Sequence, residues 1–407
     1  MIMLTSLYEK VFLDGFEKPS YVVATIPLGE EVAPAALAAA IEGTLERHAR
    51  LRGRVVDVLG VPALIVPRSP GEWSASGGLR VLDDADVHAL EEDLLTRDLD
   101  PRQTFPLEVI LVRRAGVLVV KVHHAMIDAV SGFGVLEDFV RAVRAAGERG
   151  ARARRGGGRP RSPWQRARSW LEGAQLRPRL PGVSLLTDYQ PRLPLRREPV
   201  RYREVVIEGG HGRVGGRARE RGATFSEFFA SALLSAMADY NRSLRPADVP
   251  PRLGLMFARA RLRAGDADAG FRADTCVVSC PTAQLASAHH PDTLADLRRA
   301  TRQTGHNDVA LLALYAARKL GRRSDAGAPP ERQRSLLFTL SDLTGLGRGA
   351  GGAGLRVLAS PTSYDHAGLL VSRDGGALRL TVVAHEGALD AASLLSLTLQ
   401  HLGEPAP

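Results

Sequence analysis

Cysteine is almost missing from this chain: 407 residues hold two, Cys276 and Cys280. Both fall on one face of an expected strand, so they are read as buried, reduced thiols, and no disulfide framework is implied. Long apolar runs are missing too. None reaches the length of a membrane span, and Met1 to Leu4 is too short for the core of a signal peptide. The expectation is a cytoplasmic protein with no integral membrane segment. No serine or cysteine sits in a strand-to-helix elbow of the kind that presents a nucleophile. Helix-turn-helix and aromatic-interleaved basic patterns are also absent, so nucleic acid is not an expected partner.

What the chain has in excess is positive charge and length. The net charge is +9, almost all of it from arginine. It is concentrated between Arg141 and Arg221, and part of that span, GERGARARRGGGRPRSP, is rich in Gly and Arg and has no core face. Prolines recur at Pro178, Pro181, Pro191, Pro194 and Pro199. Residues 146–200 therefore read as a linker, with a short helix near Trp164 to Gln175. With 44% hydrophobic residues, the flanks can each bury a core. Two lobes of about 200 residues suit the length: residues 1–145, and residues 201–407.

The first lobe opens with a strand, Tyr21 to Leu28, and a helix from Pro34, whose Leu37, Ile41 and Leu45 recur at helical spacing. Strand signals follow at Arg54 to Val58 and Ala63 to Val66, then a short helix over DVHALEEDLLTR. FPLEVILVRR reads as a strand joined through a hairpin at Ala115 and Gly116 to a second strand, Val117 to Val122. A mixed sheet with helices on one side is the expectation for this lobe. In the second lobe, Tyr202 to Ile207 is a strand and Val214 to Arg221 a helix. Thr224 or Ser226 then caps a longer helix, EFFASALLSAMADYNRSL. Further strands are read at Leu253 to Phe257, Gly270 to Pro281 and Ser335 to Leu340. LLVSRDGGALRLTVVAH is a hairpin turning at Asp374, Gly375 and Gly376, and Asp390 caps a final helix to about Leu402. Asp292 is expected to cap a helix over TLADLRRATRQT, and a further helix is expected from Asp308 to Leu320. His289 and His290 precede a proline and fall in a turn, so they carry no chemistry.

The organising stretch is 117–134, VLVVKVHHAMIDAVSGFG. A buried strand ends in His123 and His124, Asp128 follows four residues later, and small residues lead into an apolar-periodic helix from Phe133. A strand that delivers a histidine to the mouth of a helix places a candidate base on a rigid element. A neutral imidazole, with an ordinary pKa near ~6.5, accepts protons around neutrality. Asp128 has three readings: it orients that ring, pairs elsewhere to hold the loop, or caps the next helix. A metal site is not expected, because adjacent histidines on a strand face opposite ways and no third ligand lies nearby.

HHAMIDAVSG resembles the HHxxxDG signature of the condensation and acyltransferase superfamily, with Ala129 at the final glycine. That group includes chloramphenicol acetyltransferase, plant BAHD acyltransferases, nonribosomal peptide condensation domains, wax ester synthase/diacylglycerol acyltransferases and polyketide-associated acyltransferases. RHARLRGRV resembles the opening of the same superfamily, with His48 as a helix-end residue. LMFARARLR resembles the segment whose arginine pairs with the motif aspartate, which nominates Arg259 as the partner of Asp128, with Arg261 next. GFRADTCVVSCP matches the following strand, with Phe271 in place of asparagine. SDLTGLG matches a segment near the substrate channel at Ser341 and Gly345, with Asp342 and Thr344 as departures. The DFGWG motif of the plant enzymes is absent, which argues against that branch; the resemblance is nearest to the polyketide-associated, wax-ester-synthase and freestanding condensation enzymes.

The resemblance implies an α/β (α+β) fold of two chloramphenicol-acetyltransferase-like lobes, each a mixed sheet flanked by helices, with an active-site tunnel between them. It implies an acyltransferase in lipid or secondary metabolism. His124 would act as general base on an acceptor hydroxyl or amine, Asp128 would hold the motif loop, and His123, Arg259, Ser341 and Gly345 would support. The co-substrate would be acyl-CoA or a phosphopantetheinyl carrier thioester, with no bound cofactor and no metal. Acidic partners of that kind suit the positive charge. Two alternatives stand beside this: a freestanding condensation enzyme joining carrier-bound intermediates, and a non-catalytic relative that binds an acyl carrier.

Overall fold

The computed structural model describes residues 2–4, 13, 19–28, 32–58, 61–67, 69, 71–127, 135–136, 138–142, 185–187, 198–260, 273–302, 335–344, 354–363 and 365–405. The chain forms two compact units. One comprises Met1–Arg161, Arg261–Ala273 and Leu346–Ser360; the other comprises Ser162–Ala260, Asp274–Gly345 and Pro361–Pro407.

The first unit runs β1 (Ile2–Leu4), β2 (Tyr21–Pro27), α1 (Pro34–Arg47), β3 (Arg54–Val58), β4 (Val61–Ile65), α2 (Gly71–Ala75), β5 (Leu79–Leu82), α3 (Val87–Thr96), β6 (Leu107–Val112) and β7 (Val117–His123). Its main sheet has the order β13-β2-β7-β6-β5, where β13 is Arg356–Ala359. Only β5 and β6 are parallel; the other pairs are antiparallel. β7 lies at the centre of this sheet and is buried at every position after Val117, as a strand covered on both faces must be. Gly116, at φ +60°, closes the hairpin that feeds it. α1 starts at Pro34, whose fixed φ suits a first helical position. It buries Leu37, Ile41, Thr44 and Leu45 along one stripe. α3 is capped by Asp86, which accepts from the N–H groups of His88 and Ala89. A second, three-stranded antiparallel sheet, β1-β4-β3, completes the unit.

The second unit contains β8 (Leu185–Leu186), β9 (Val200–Ile207), α4 (Gly210–Glu220), α5 (Phe225–Leu244), β10 (Arg252–Ala260), β11 (Ala273–Pro281), α6 (Pro291–Arg302), β12 (Ser335–Asp342), β14 (His366–Asp374), β15 (Ala377–His385) and α7 (Ala391–Leu402). Its sheet has the order β11-β10-β12-β14-β15-β9, with β8 beside β12. α5 is the core helix: from Phe228 to Ala238 every residue is buried, around Leu233, Leu234 and Met237. Such a helix depends on its neighbours for its apolar surroundings on all sides.

Several expectations are corrected. Of the two proposed caps for α5, Thr224 does the work: its hydroxyl accepts from the Glu227 N–H, and the Glu227 carboxylate accepts from the Thr224 N–H. α6 is entered through His290, whose ring Nδ1 accepts from the Asp292 N–H at 3.3 Å, so the cap is the histidine and not Asp292. The partition 1–145, 146–200 and 201–407 does not hold as drawn, because Leu346–Ser360 lies in the first unit. The reason is non-local: β13 supplies the strand beside β2, with Val357 opposite Ala24 and Leu358 opposite Val23. The helices expected at 164–175 and 308–320 lie outside the described residues.

Candidate active site

The segment that leaves β7 fixes four backbone donors in a row. The His123 N–H donates to the Pro106 carbonyl at 2.9 Å, and the His124 N–H donates to the Ser20 carbonyl at 2.8 Å. The Ala125 N–H donates to Nδ1 of His123 at 3.1 Å, and the Met126 N–H donates to the His123 carbonyl at 2.9 Å. Four successive amides are therefore fixed, and Ala125, Met126 and Ile127 are buried beneath them. A buried amide without an acceptor would cost ~1–3 kcal/mol, so this turn has little freedom to rearrange.

The two histidines differ in kind. His123 is 2% exposed. Burial, helped by the nearby charges of His124, Lys121 and Arg102, holds its pKa down to about 3. Because its Nδ1 accepts from Ala125, the ring is neutral and carries its proton on Nε2. It lies edge-on to the Tyr21 ring, with centroids 5.6 Å apart. His123 is thus a turn-forming side chain, and His124, one residue later, is half-buried. Lys121, on the same strand face as His123, has no exposed surface. Its ammonium donates to the Arg97 carbonyl and lies 3.9 Å from the centroid of the Tyr21 ring. Burial, with repulsion from Arg97, lowers its pKa to about 7 against the pull of Glu108, Asp98 and Asp93. Burial likewise raises the pKa of Tyr21, whose hydroxyl accepts from the Leu99 N–H at 2.9 Å.

Of the other predicted residues, Asp128, Arg261 and Gly345 lie outside the described residues. Arg259 lies on β10, with its side chain likewise undescribed. Ser341 is on β12 in the second unit, half-buried. It stands opposite Ala258 in the parallel ladder, so Arg259 and Ser341 are placed at the C-terminal ends of two adjacent parallel strands. The two departures from the resemblance here explain each other. The Asp342 carboxylate accepts from the Thr344 N–H at 3.0 Å and from its hydroxyl at 2.6 Å, and it also takes the Ser226 hydroxyl.

Two features escaped the sequence. His48 ends α1, as its sequence position indicated, but no sequence signal showed that its Nε2 lies 2.9 Å from Oδ2 of Asp138, on the helical stretch that follows the motif. That hydrogen bond is the chief reason the Asp138 pKa is lowered. Ser20, Tyr21 and Ser360 also surround the histidine turn through a hydrogen-bonded chain. No local pattern marks Ser360, which lies 236 positions beyond His124 (360 minus 124). Among the described residues, no group of three or more His, Cys, Asp or Glu side chains is placed to hold a metal ion. No described helix is long and apolar enough to cross a membrane.

No protein-family model and no curated protein matches the chain. Solved structures do. The epimerization domain from the third module of tyrocidine synthetase B matches with a TM-score of 0.65 at 14% identity, covering 99% of this chain and 97% of that one. The condensation domain of the monacolin K polyketide synthase MokA matches with a TM-score of 0.63 at 15% identity, covering 99% and 96%. The nonribosomal peptide synthetase FmoA3 matches with a TM-score of 0.65 at 17% identity over 98% of this chain, which spans only 42% of that larger protein. Likeness at these identities is likeness of fold. The chain has the two-lobed condensation-domain fold, the chloramphenicol-acetyltransferase-like architecture that HHAMIDAVSG implied.

Proposed function

We propose that this protein transfers an acyl group from a thioester to an acceptor hydroxyl or amine, with His124 as the base. The observation that carries the reading is the histidine turn. Its amides are all fixed, its first imidazole is neutral and structural, and its second follows immediately on a central strand of a condensation-type fold. A base held by a rigid backbone loses little entropy on reaching its reactive geometry. His124 removes the acceptor proton as the oxygen or nitrogen attacks the thioester carbonyl. The tetrahedral intermediate collapses with cleavage of the C–S bond, and the proton passes from His124 to the departing sulfur. One ester or amide and one free thiol result, without an acyl-enzyme. Asp128 holds the motif loop in this scheme. The likeness in fold to domains of nonribosomal peptide and polyketide synthesis favours a carrier-bound thioester over free CoA as donor.

The test is His124→Ala against a panel of acyl-carrier and acyl-CoA donors, followed by free-thiol release and mass spectrometry of the product. Loss of general base catalysis is expected to slow transfer by about 10²–10⁴-fold. A folded His124→Ala protein that transfers at the parent rate would overturn the reading.

A further inference from the structure

We propose that Ser360 is a positioning residue for His124, acting through a strap of chain from Gly354 to Ser360. The proposal rests on the role assigned to His124 above. Residues on β13 are in register with β2: Arg356 faces Thr25 and Ala359 faces Val22. One step beyond the ladder, Ser360 grips the start of β2 three times. Its N–H donates to the Tyr21 carbonyl at 2.9 Å, its hydroxyl accepts from the Tyr21 N–H at 2.7 Å, and its carbonyl accepts from the Ser20 hydroxyl at 3.1 Å. The carbonyl of that same Ser20 holds the His124 N–H. Ser20 and Ser360 are 1% and 5% exposed, so water does not compete for these bonds. The hydroxyl of Ser360 is thus two residues and two hydrogen bonds from the backbone of the base.

The far end of the strap is anchored independently. Arg356 donates from Nε and a terminal nitrogen to Oε1 of Glu91, at 3.0 and 2.7 Å. The Glu91 side chain has no exposed surface, and it also takes the Thr25 hydroxyl. Gly354, at φ +76°, brings the chain in so close to Pro27 that an added Cβ would lie 2.7 Å from the ring. With Arg356 fixed at one end, β13 cannot slide along β2, and the three bonds from Ser360 transmit that fixed register to Ser20. A strap supplied from a remote part of the chain would otherwise serve as an ordinary edge strand, for which the ladder and the ion pair suffice. The side-chain bonds of Ser20 and Ser360 lie beyond the ladder and add nothing to strand pairing. They define the position of the Ser20 carbonyl, and so that of the His124 amide.

The experiment compares Ser360→Ala and Ser360→Thr in the full chain. Hydrogen exchange at the His124 amide is measured together with kcat and KM for thioester cleavage. In Ser360→Ala the His124 amide is expected to exchange about tenfold faster, while Val119 and Val120 of the same strand keep their rates. The same variant is expected to lower kcat about tenfold at unchanged KM, since a small misplacement of a base is felt in the chemical step. Ser360→Thr keeps the hydroxyl and is expected to restore both. An unchanged exchange rate at His124, or a rise shared by all of β7, overturns the tether. A raised KM at unchanged kcat overturns positioning. If Ser360→Ala does not fold, Ser20→Ala, which removes only the 3.1 Å bond, carries the same comparison. His124→Ala runs alongside: parent-rate transfer there, or no transfer by the unaltered protein with any donor, refutes the catalytic reading, while the exchange measurement still decides the tether.

Discussion

At the scale of single residues, the histidine turn and its strand hold two groups whose protonation opposes folding. His123 has a folded pKa of about 3 against an ordinary 6.5. Between those values the unfolded chain binds a proton that the folded chain does not, so stability is full above 6.5 and falls as the pH drops toward 3. Lys121 has a folded pKa of about 7 against an ordinary 10.5. The same sign applies: its opposition to folding is complete below 7 and fades as the pH rises to 10.5. His123→Asn is the discriminating substitution, since an asparagine oxygen can accept from the amide two residues on, as Nδ1 of His123 does, without titrating. Urea unfolding of this variant is expected to show a shallower loss of stability between pH 6.5 and 4 than the parent. Lys121→Met is expected to flatten the slope between pH 7 and 10. Equal slopes in parent and variant would assign the titration to other groups.

Among the elements, β13 is the most dependent on its side chains. Its four residues offer few ladder bonds, and the Arg356–Glu91 pair fixes its register. Arg356→Met leaves a fully buried carboxylate without its cation, and such a loss typically costs about 3–5 kcal/mol. Adding Glu91→Leu to that variant should recover much of the loss, because the uncompensated charge goes with it. Thermal and urea denaturation of the two singles and the double form the cycle, and strict additivity would show that the pair is not the anchor. α5 behaves differently. Its buried apolar length was legible in TFSEFFASALLSAM, because that stripe is local to the helix, while the choice of Thr224 over Ser226 as its cap came from the fold.

For the whole molecule, the net charge of +9 and the condensation-type fold bear on the donor. A positive field raises the association rate of an acidic carrier protein more than that of a short neutral thioester, and salt screens it within about 10 Å at 0.1 M ionic strength. Residues 151–161, ARARRGGGRPR, lack any core face in the sequence. Deleting them is expected to leave the unfolding transition unchanged and to raise KM for a carrier-bound donor more than for a synthetic thioester, with the difference shrinking as salt rises. Equal effects on both donors would make the segment a linker without a docking role.

The sequence by itself missed the short β1, β5, β8, β13 and α2, but determined the longer strands and helices and the pair of histidines at the end of a buried strand. Each of these is written in residues close together in the chain, where period, branching and hydrogen-bonding side chains act directly. Resemblance to HHxxxDG then supplied the fold, and the solved structures carry it. Tertiary structure decided the rest. Which histidine is structural depends on the burial of His123 beside Tyr21 and on an acceptor role toward Ala125; two adjacent imidazoles look alike in a string of letters. Assignment of residues 354–360 to the first unit depends on pairing with β2 across more than 300 positions of chain, as Ala359 opposite Val22 shows (359 minus 22). The proposed tether from Ser360 to His124 needs that pairing and the hydroxyl bonds beyond it, since a serine gains a role only from the groups that folding brings within hydrogen-bonding distance.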